Sequence, residues 1–207
     1  WGAEVGRGRV SLPGGCAIGA RPIDLHIKGL EAMGAKIWLE QGYVHGTADC
    51  LKGIQFYFDT VSVTGTANLM MAASLAEGET ILENVAKEPE VVFLADILNQ
   101  AGAKIEGQGT DMITIQGVSS LKPIECRIFP DRIEAGTYMI AAAITQGEVL
   151  IESCIPQHVE PIILKLQEAQ VNVAVEGSSI RVRGGRPLSS EERRVGQAGR
   201  SRWSPYR

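Results

Sequence analysis

The sequence lacks the patterns that metal sites, membrane spans and disulfide-stapled folds require. Its four cysteines show no CxxC spacing and its three histidines show no HExxH motif, so no zinc site is predicted. No apolar run reaches the ~18 residues that a transmembrane helix needs, and the first residues show no charged-then-apolar leader pattern. The cysteines are widely spaced in a chain too large to need disulfides. We therefore expect a cytoplasmic protein with reduced thiols, no metal and no membrane contact.

A basic surface of the kind that binds nucleic acids is also missing. The net charge is −4, and because residues 184–207 carry +4, residues 1–183 carry −8. No nucleic-acid partner is expected. A chain of 207 residues, 44% of them hydrophobic, can bury the core of one large domain or parts of two. Residues 185–207 have no apolar period and are predicted to be a disordered tail.

One phrase of sequence occurs three times. GLEAMGAKI at residues 29–37 matches ILNQAGAKI at residues 97–105 and, more loosely, KLQEAQVNV at residues 165–173, so the copies lie 68 residues apart. Each copy has a helical apolar pattern that changes into a strand, and the second and third are followed by a hairpin pattern. The spacing predicts a supersecondary unit that the chain uses several times.

Two segments between these phrases are apolar on nearly every side. They are residues 66–75 and 137–144. A helix that is apolar all round has to be buried all round, and these segments are too short to cross a membrane. We therefore expect an α/β protein in which two central helices are wrapped by its own sheets.

The most unusual stretch is the loop LPGGCAIGARPID at residues 12–24. Its glycines and prolines predict a shaped surface loop, with Cys16 at the apex and Arg21 nearby. A partly exposed thiol beside a fixed positive charge is expected to have a lowered pKa and to be reactive. The alternative is a small buried apolar residue, which is what most free cysteines are.

The loop, read on to His26, resembles the catalytic loop of the UDP-N-acetylglucosamine 1-carboxyvinyltransferase family, and the similarity runs from about Val10 to about Pro187. The resemblance implies an inside-out α/β barrel of repeated βαβαββ units, as in enolpyruvyl transferases. The chain would hold most of one lobe and the first unit of a second. The implied domains are residues 10–129, a partial cysteine-loop lobe, and residues 130–184, the first unit of the second lobe, with residues 185–207 outside the family pattern.

The resemblance also implies a reaction. The family transfers the enolpyruvyl group of phosphoenolpyruvate to the 3′-hydroxyl of UDP-N-acetylglucosamine and releases phosphate, the first committed step of peptidoglycan synthesis, with no cofactor. Cys16 would protonate the methylene of phosphoenolpyruvate, and members with this cysteine are typically sensitive to fosfomycin. Several family residues lie outside this chain. An alternative is therefore an inactive fragment that at most binds the nucleotide sugar.

The family pattern assigns substrate contacts to further residues. Arg21 would contact the phosphate of phosphoenolpyruvate, and two segments would hold the nucleotide sugar: Pro22, Ile23, Asp24 and Leu25, and then Thr60, Val61, Ser62 and Val63. Six further residues match, less specifically, positions that border the family's cleft: His26, Thr64, Glu88, Glu90, Asp131 and Arg132. Many members have lysine where this chain has Thr60.

Other interpretations of these residues stay open. Asp24 could be a helix N-cap, and Ser62, Thr64 or Thr66 could simply cap the first apolar helix. The acidic and basic residues at 88–90 and 131–132 could be surface or hinge ion pairs. A thiol hydrolase or redox protein would need a histidine base near Cys16, for which His26 is the candidate. The related family that acts on shikimate 3-phosphate shares the fold but lacks the cysteine loop.

Overall fold

The structure, a computed structural model, describes residues 6–11 and 23–185. The chain divides into two compact units, Trp1–Cys126 and Arg127–Arg207. The predicted lobe boundary lies between residues 129 and 130, and the lobes themselves stay a prediction. No helix in the described part of the chain is long and apolar enough to cross a membrane.

The first unit alternates short strands with three helices. In chain order its elements are β1 (Arg7–Ser11), α1 (Asp24–Ala32), β2 (Lys36–Glu40), β3 (Tyr43–Thr47), β4 (Gln55–Tyr57), α2 (Val63–Ala73), β5 (Glu79–Glu83), α3 (Pro89–Gln100), β6 (Lys104–Glu106) and β7 (Met112–Gln116). The second unit contains α4 (Arg132–Thr145), β8 (Glu148–Ile151), a 3₁₀ turn (Pro156–Val159), α5 (Glu160–Glu168), β9 (Asn172–Glu176) and β10 (Ser179–Arg183).

Three sheets share one topology, which confirms the predicted repeat. Their strand orders are β1-β3-β2, β4-β5-β7-β6 and β8-β10-β9. In each sheet a first strand leads through a helix (α1, α3 or α5) into an antiparallel hairpin, and the second hairpin strand pairs with the first strand. The middle sheet also has β4, which runs parallel to β5.

The repeated phrase spans the end of each helix and the start of the following strand. The residue between them has a positive φ in all three copies: 99° at Gly34, 106° at Gly102 and 63° at Gln170. This left-handed conformation ends the helix, and glycine adopts it without strain. Gly34 follows the helical apolar pattern of residues 24–33 and so predicts a helix end there, which the structure confirms.

Each unit has its own apolar core. In the first unit α2 packs against α1, α3, β5 and β7, and Phe58, Leu69 and Met70 are fully buried. In the second unit α4 packs against β8, β10 and α5, with Met139 and Ile180 at the centre.

The expectation that both apolar helices are buried on all sides is wrong for the described residues. Met71 on α2 is 43% exposed, and on α4 Ile140 and Ile144 are 46% and 64% exposed. Among the described residues, the buried positions of α4 are confined to one face of the helix, namely Ala135, Gly136, Met139, Ala142 and Ala143. Whether these sheets close into a barrel stays a prediction.

The segment that joins the units carries no regular secondary structure. The sequence of residues 126–129, which ends at Pro130, predicts an edge strand, but residues 117–131 form neither helix nor strand. Ile128 is 70% exposed, and Pro130 follows two residues later. A strand is stabilised by hydrogen bonds to a neighbouring strand. An apolar pattern alone does not supply that neighbour.

Candidate functional site

The predicted site residues fall into three groups. Cys16, Arg21 and Pro22 lie outside the described residues. The residues from Ile23 to His26 begin α1, and the residues from Thr60 to Thr64 join β4 to α2, both in the first unit. Glu88 and Glu90 begin α3 of the same unit, whereas Asp131 and Arg132 begin α4 of the second unit.

The start of α2 is a well-formed helix N-terminus. Ser62 has extended backbone angles, and its Oγ accepts a hydrogen bond from the Gly65 amide at 3.0 Å. It is therefore the N-cap, the role expected for serine at this position. A Cβ on Gly65 would lie 3.0 Å from this Oγ, so glycine allows the close cap. The Thr66 amide makes the first backbone bond of the helix, to the Ser62 carbonyl at 2.9 Å, so the amides of Val63 and Thr64 precede the first intrahelical hydrogen bond.

A buried threonine ties this helix end to the following loop. Thr66 is fully buried; its Oγ1 donates to the Ser62 carbonyl at 2.8 Å and accepts from the Ala86 amide at 3.1 Å. Asn84 likewise donates from Nδ2 to the Phe58 carbonyl at 2.7 Å. These bonds hold the β4–α2 junction in place, so Thr66 has a structural role and does not cap the helix with its side chain.

Three contacts bring the start of α1 against the start of α2. His26 Nε2 lies 3.4 Å from Thr64 Oγ1, and His26 Nδ1 lies 2.7 Å from Asn68 Nδ2. An ion pair of 3.7 Å joins Lys28 of α1 to Asp59, three residues before the N-cap of α2. The structure therefore gathers His26 and Thr64, two of the less specific sequence matches, into one cluster. Asn68 was not predicted, since only the packing of the two helices reveals it.

Burial lowers the pKa of His26, and the carboxylate of Asp24 partly opposes this shift. Asp24 itself is the first residue of α1, and Ile23 occupies the N-cap position without a side-chain cap bond. The suggestion that Asp24 caps this helix is therefore wrong. A carboxylate in the first turn still interacts favourably with the helix dipole.

The surface beside this cluster is partly apolar. Val61 is 50% exposed and Val63 is 36% exposed, next to exposed Thr60 and Thr64. Exposed apolar side chains, hydroxyls and helix-end amides thus meet at the β4–α2 junction. This combination suits a ligand that has both a flat apolar part and an anionic part.

The start of α3 has one unusual feature. Glu88 holds the N-cap position before Pro89, and its Oε2 is buried without a hydrogen-bond partner in the described part of the structure. A buried carboxylate oxygen without a donor is costly. Glu88 therefore carries an unsatisfied acceptor at the start of α3.

In the second unit, Asp131 acts as the N-cap of α4. Its Oδ1 accepts from the amides of Ile133 and Glu134 at 2.7 and 3.2 Å. A groove of about 370 Å³ runs between this helix start and β8. Three carboxylates line it, from Asp131, Glu134 and Glu152, so the groove is a poor site for a phosphate.

The three cysteines that the structure describes differ in exposure: Cys126 is exposed, Cys50 is half-buried and Cys154 is buried. Cys50, Cys126 and Cys154 are free. Burial is the main cause that raises the pKa of Cys50 and of Cys154, and the Cys154 thiol lies 3.3 Å from the Ser178 carbonyl. Among the described residues no group of histidine, cysteine and carboxylate side chains could hold a metal ion.

Comparison with known proteins matches nearly the whole chain. The family model for EPSP synthase (3-phosphoshikimate 1-carboxyvinyltransferase) matches residues 2–200, past the residue where the similarity was expected to end. Relatives named UDP-N-acetylglucosamine 1-carboxyvinyltransferase include one from Desulfatibacillum aliphaticivorans, 57% identical over 91% of this chain and 45% of its own length. Another, from Myxococcus xanthus, is 58% identical over 86% of this chain and 43% of its own length.

Solved structures share the fold. The enolpyruvyl transferase NikO from Streptomyces tendae matches with a TM-score of 0.72 at 20% identity, over 88% of this chain and 44% of its own. EPSP synthase from Acinetobacter baumannii matches with a TM-score of 0.60 at 26% identity, over 82% of this chain and 41% of its own. The expected enolpyruvyl-transferase-like α/β fold is confirmed. The chain spans less than half the length of the relatives it matches.

Proposed function

Because this chain belongs to the EPSP synthase (enolpyruvyl transferase) family, we propose that it is part of a cytoplasmic enzyme of peptidoglycan synthesis. That enzyme would transfer the enolpyruvyl group of phosphoenolpyruvate to the 3′-hydroxyl of UDP-N-acetylglucosamine. The observation that carries the choice of substrate is the 57–58% identity to relatives with this name, against 26% for an EPSP synthase structure. The cysteine loop around Cys16 supports the same choice.

The nucleotide sugar would bind where α1 and α2 begin. Its diphosphate would lie against the N-terminus of α2, where the helix dipole and the first amides favour negative charge. Thr60, Val61, Ser62 and Val63 would surround it, with the Thr64 hydroxyl beside them. The uridine would rest on Pro22, Ile23, Asp24 and Leu25, beside the exposed side chains of Val61 and Val63. Thr60 has no positive charge, unlike the lysine that many members of the family have at this position. The backbone amides would therefore contribute more of the diphosphate binding.

The reaction would need no cofactor. The 3′-oxygen of the sugar bonds to C2 of phosphoenolpyruvate while the Cys16 thiol gives its proton to C3, and the hydroxyl proton passes to a base. The tetrahedral adduct then loses a proton from C3 and breaks its C2–O bond to phosphate. The products are the enolpyruvyl ether and phosphate. Arg21 would hold the phosphate, because a guanidinium fork matches its oxygens.

The remaining predicted residues have less specific roles in this proposal. The orphaned Oε2 of Glu88 makes that residue a candidate for a contact with substrate. Glu90, Asp131 and Arg132 would border the cleft of the whole enzyme. Since the chain spans under half of its relatives, we expect it to bind the nucleotide sugar but to show weak or no turnover.

Calorimetric titration of the chain with UDP-N-acetylglucosamine tests this proposal. We expect saturable 1:1 binding. Ser62→Asp is a sharp control, because aspartate still caps the helix but places a negative charge at the anion subsite. The variant should unfold like the wild type and lose at least about tenfold in affinity, equivalent to ~1.4 kcal/mol. No binding by the wild type, or equal binding by both proteins, would contradict the proposed site, and robust phosphate release would contradict the expected weak turnover.

A further inference from the structure

The side chain of Asn68 on α2 lies within hydrogen-bonding distance of the His26 ring on α1. Asn68 lies one turn after Thr64 on α2, and its Nδ2 is 2.7 Å from His26 Nδ1. An amide nitrogen carries two hydrogens and accepts no hydrogen bond. His26 Nδ1 must therefore be the acceptor and carry no proton in this arrangement.

The other ring nitrogen then holds the single proton of a neutral imidazole. His26 Nε2 is 3.4 Å from Thr64 Oγ1, a long contact in which the histidine donates and the hydroxyl oxygen accepts. Burial, which lowers the pKa of His26, favours the neutral ring. Once Thr64 Oγ1 accepts from His26, its own hydrogen is left to donate to another acceptor.

The other charged side chains on α1 are those of Asp24, Lys28 and Glu31. On its own helix the carboxylate of Asp24 raises the pKa of His26, and Lys28 is paired with Asp59. The helix α2, which packs on α1, has no titratable side chain. The strand β2, which also contacts α1, carries Lys36 and Glu40 at its ends.

We propose that Asn68 is a positioning residue: it fixes the proton of His26 on Nε2, and the Asn68–His26–Thr64 chain directs the Thr64 hydroxyl hydrogen toward a phosphate oxygen at the N-terminus of α2. This inference rests on the proposed function, since it requires an anionic ligand there. It adds a residue and a direction of hydrogen bonding that the sequence did not indicate.

Nitrogen-15 NMR of the histidine rings in the free chain tests the first step. The His26 signals, assigned with His26→Gln, should show the proton on Nε2. Asn68→Asp replaces the amide donor with a carboxylate, so the proton should move to Nδ1 and the pKa of His26 should rise by about one to three units. A wild-type proton on Nδ1, or an unchanged pKa in the variant, would overturn the proposal. Dispersed amide signals in each variant show that it is folded.

A double-mutant cycle on UDP-N-acetylglucosamine affinity tests the second step. Asn68→Leu should weaken binding about fivefold, the effect of one hydrogen bond, but by less than about twofold in a Thr64→Val background. Equal effects in both backgrounds would overturn the positioning role. Absence of binding by the wild type would refute the proposed nucleotide-sugar site and with it the role of Thr64, while the NMR result would still decide whether Asn68 sets the His26 proton.

Discussion

At the scale of single residues, hydroxyl groups decide how the start of α2 is built. Ser62 supplies the N-cap, Thr66 is buried between the Ser62 carbonyl and the Ala86 amide, and Thr64 remains exposed beside His26. Within five residues, hydroxyl groups therefore cap a helix at Ser62, hold a loop at Thr66 and lie exposed at Thr64.

Thr66→Val should destabilise the chain. Valine has the shape of threonine but leaves the Ala86 amide buried without an acceptor, which costs about 1–3 kcal/mol. Thr64→Val is the matched control on the same helix, and because Thr64 is exposed its effect should stay within about 0.5 kcal/mol. Urea unfolding measures both. Equal stabilities for the two variants would mean that the buried bond is not important.

His26 should make the stability depend on pH. Burial holds its pKa below the ordinary value of 6.5, so the unfolded chain binds the proton more readily than the folded chain. The stabilising contribution is present above pH 6.5 and is lost as the pH falls through 6.5 toward the folded-state pKa. Urea unfolding from pH 8 to pH 5 should show wild type losing stability relative to His26→Gln. If the difference in unfolding free energy between the two proteins stays constant or changes in the opposite direction, the pKa of His26 is not lowered by folding.

How far these residues could be predicted depends on what each role requires. The sequence named Ser62, Thr64 and Thr66 as possible caps, but the choice of Ser62 follows from its extended backbone angles. The sequence also offered Asp24 as a cap, but α1 begins at Asp24 itself and Ile23 holds the N-cap position. Asn68 could not be predicted, because its partner His26 is 42 residues away in sequence.

At the scale of elements, the same helix and hairpin occur three times. The sequence predicted this because the repeated phrase contains the residue that ends each helix, at Gly34, Gly102 and Gln170. Apolar periodicity gave the wrong burial for α4, since a pattern reports that a helix has apolar faces and not which elements cover them. Ile140 and Ile144 belong to this apolar pattern and are nevertheless exposed.

Close packing between elements leads to a graded prediction for three glycines. A Cβ at Gly29 would collide with the buried Leu69 side chain, and a Cβ at Gly53 would collide with the Glu79 backbone. Overpacking costs about 1–3 kcal/mol of stability. At Gly29, which lies in α1, alanine offsets part of this cost because it is about 1 kcal/mol more favourable than glycine in a helix. Gly53→Ala should therefore lose more stability than Gly29→Ala, with Gly185→Ala, which has open space, as the neutral control. Thermal unfolding gives the order, and equal melting temperatures would refute it.

At the scale of the whole molecule, the chain consists of two units joined by residues without helix or strand. Trypsin should therefore cut the described residues first after Arg127, which is exposed in this segment, while Lys122 is protected by the proline that follows it. Mass spectrometry should find two fragments that meet at that bond. Arg127→Gln should remove this cut, and an unchanged fragment pattern in that variant would contradict the prediction.

The central claim is that this chain carries the cysteine and nucleotide-sugar site of an enolpyruvyl transferase, and labelling with fosfomycin tests it most directly. The epoxide should form a thioether at Cys16, faster when UDP-N-acetylglucosamine is present, and the adduct should be absent in Cys16→Ser. Peptide mass spectrometry locates the adduct. Labelling spread equally over Cys16, Cys50, Cys126 and Cys154, or a rate unaffected by the nucleotide sugar, would contradict the claim.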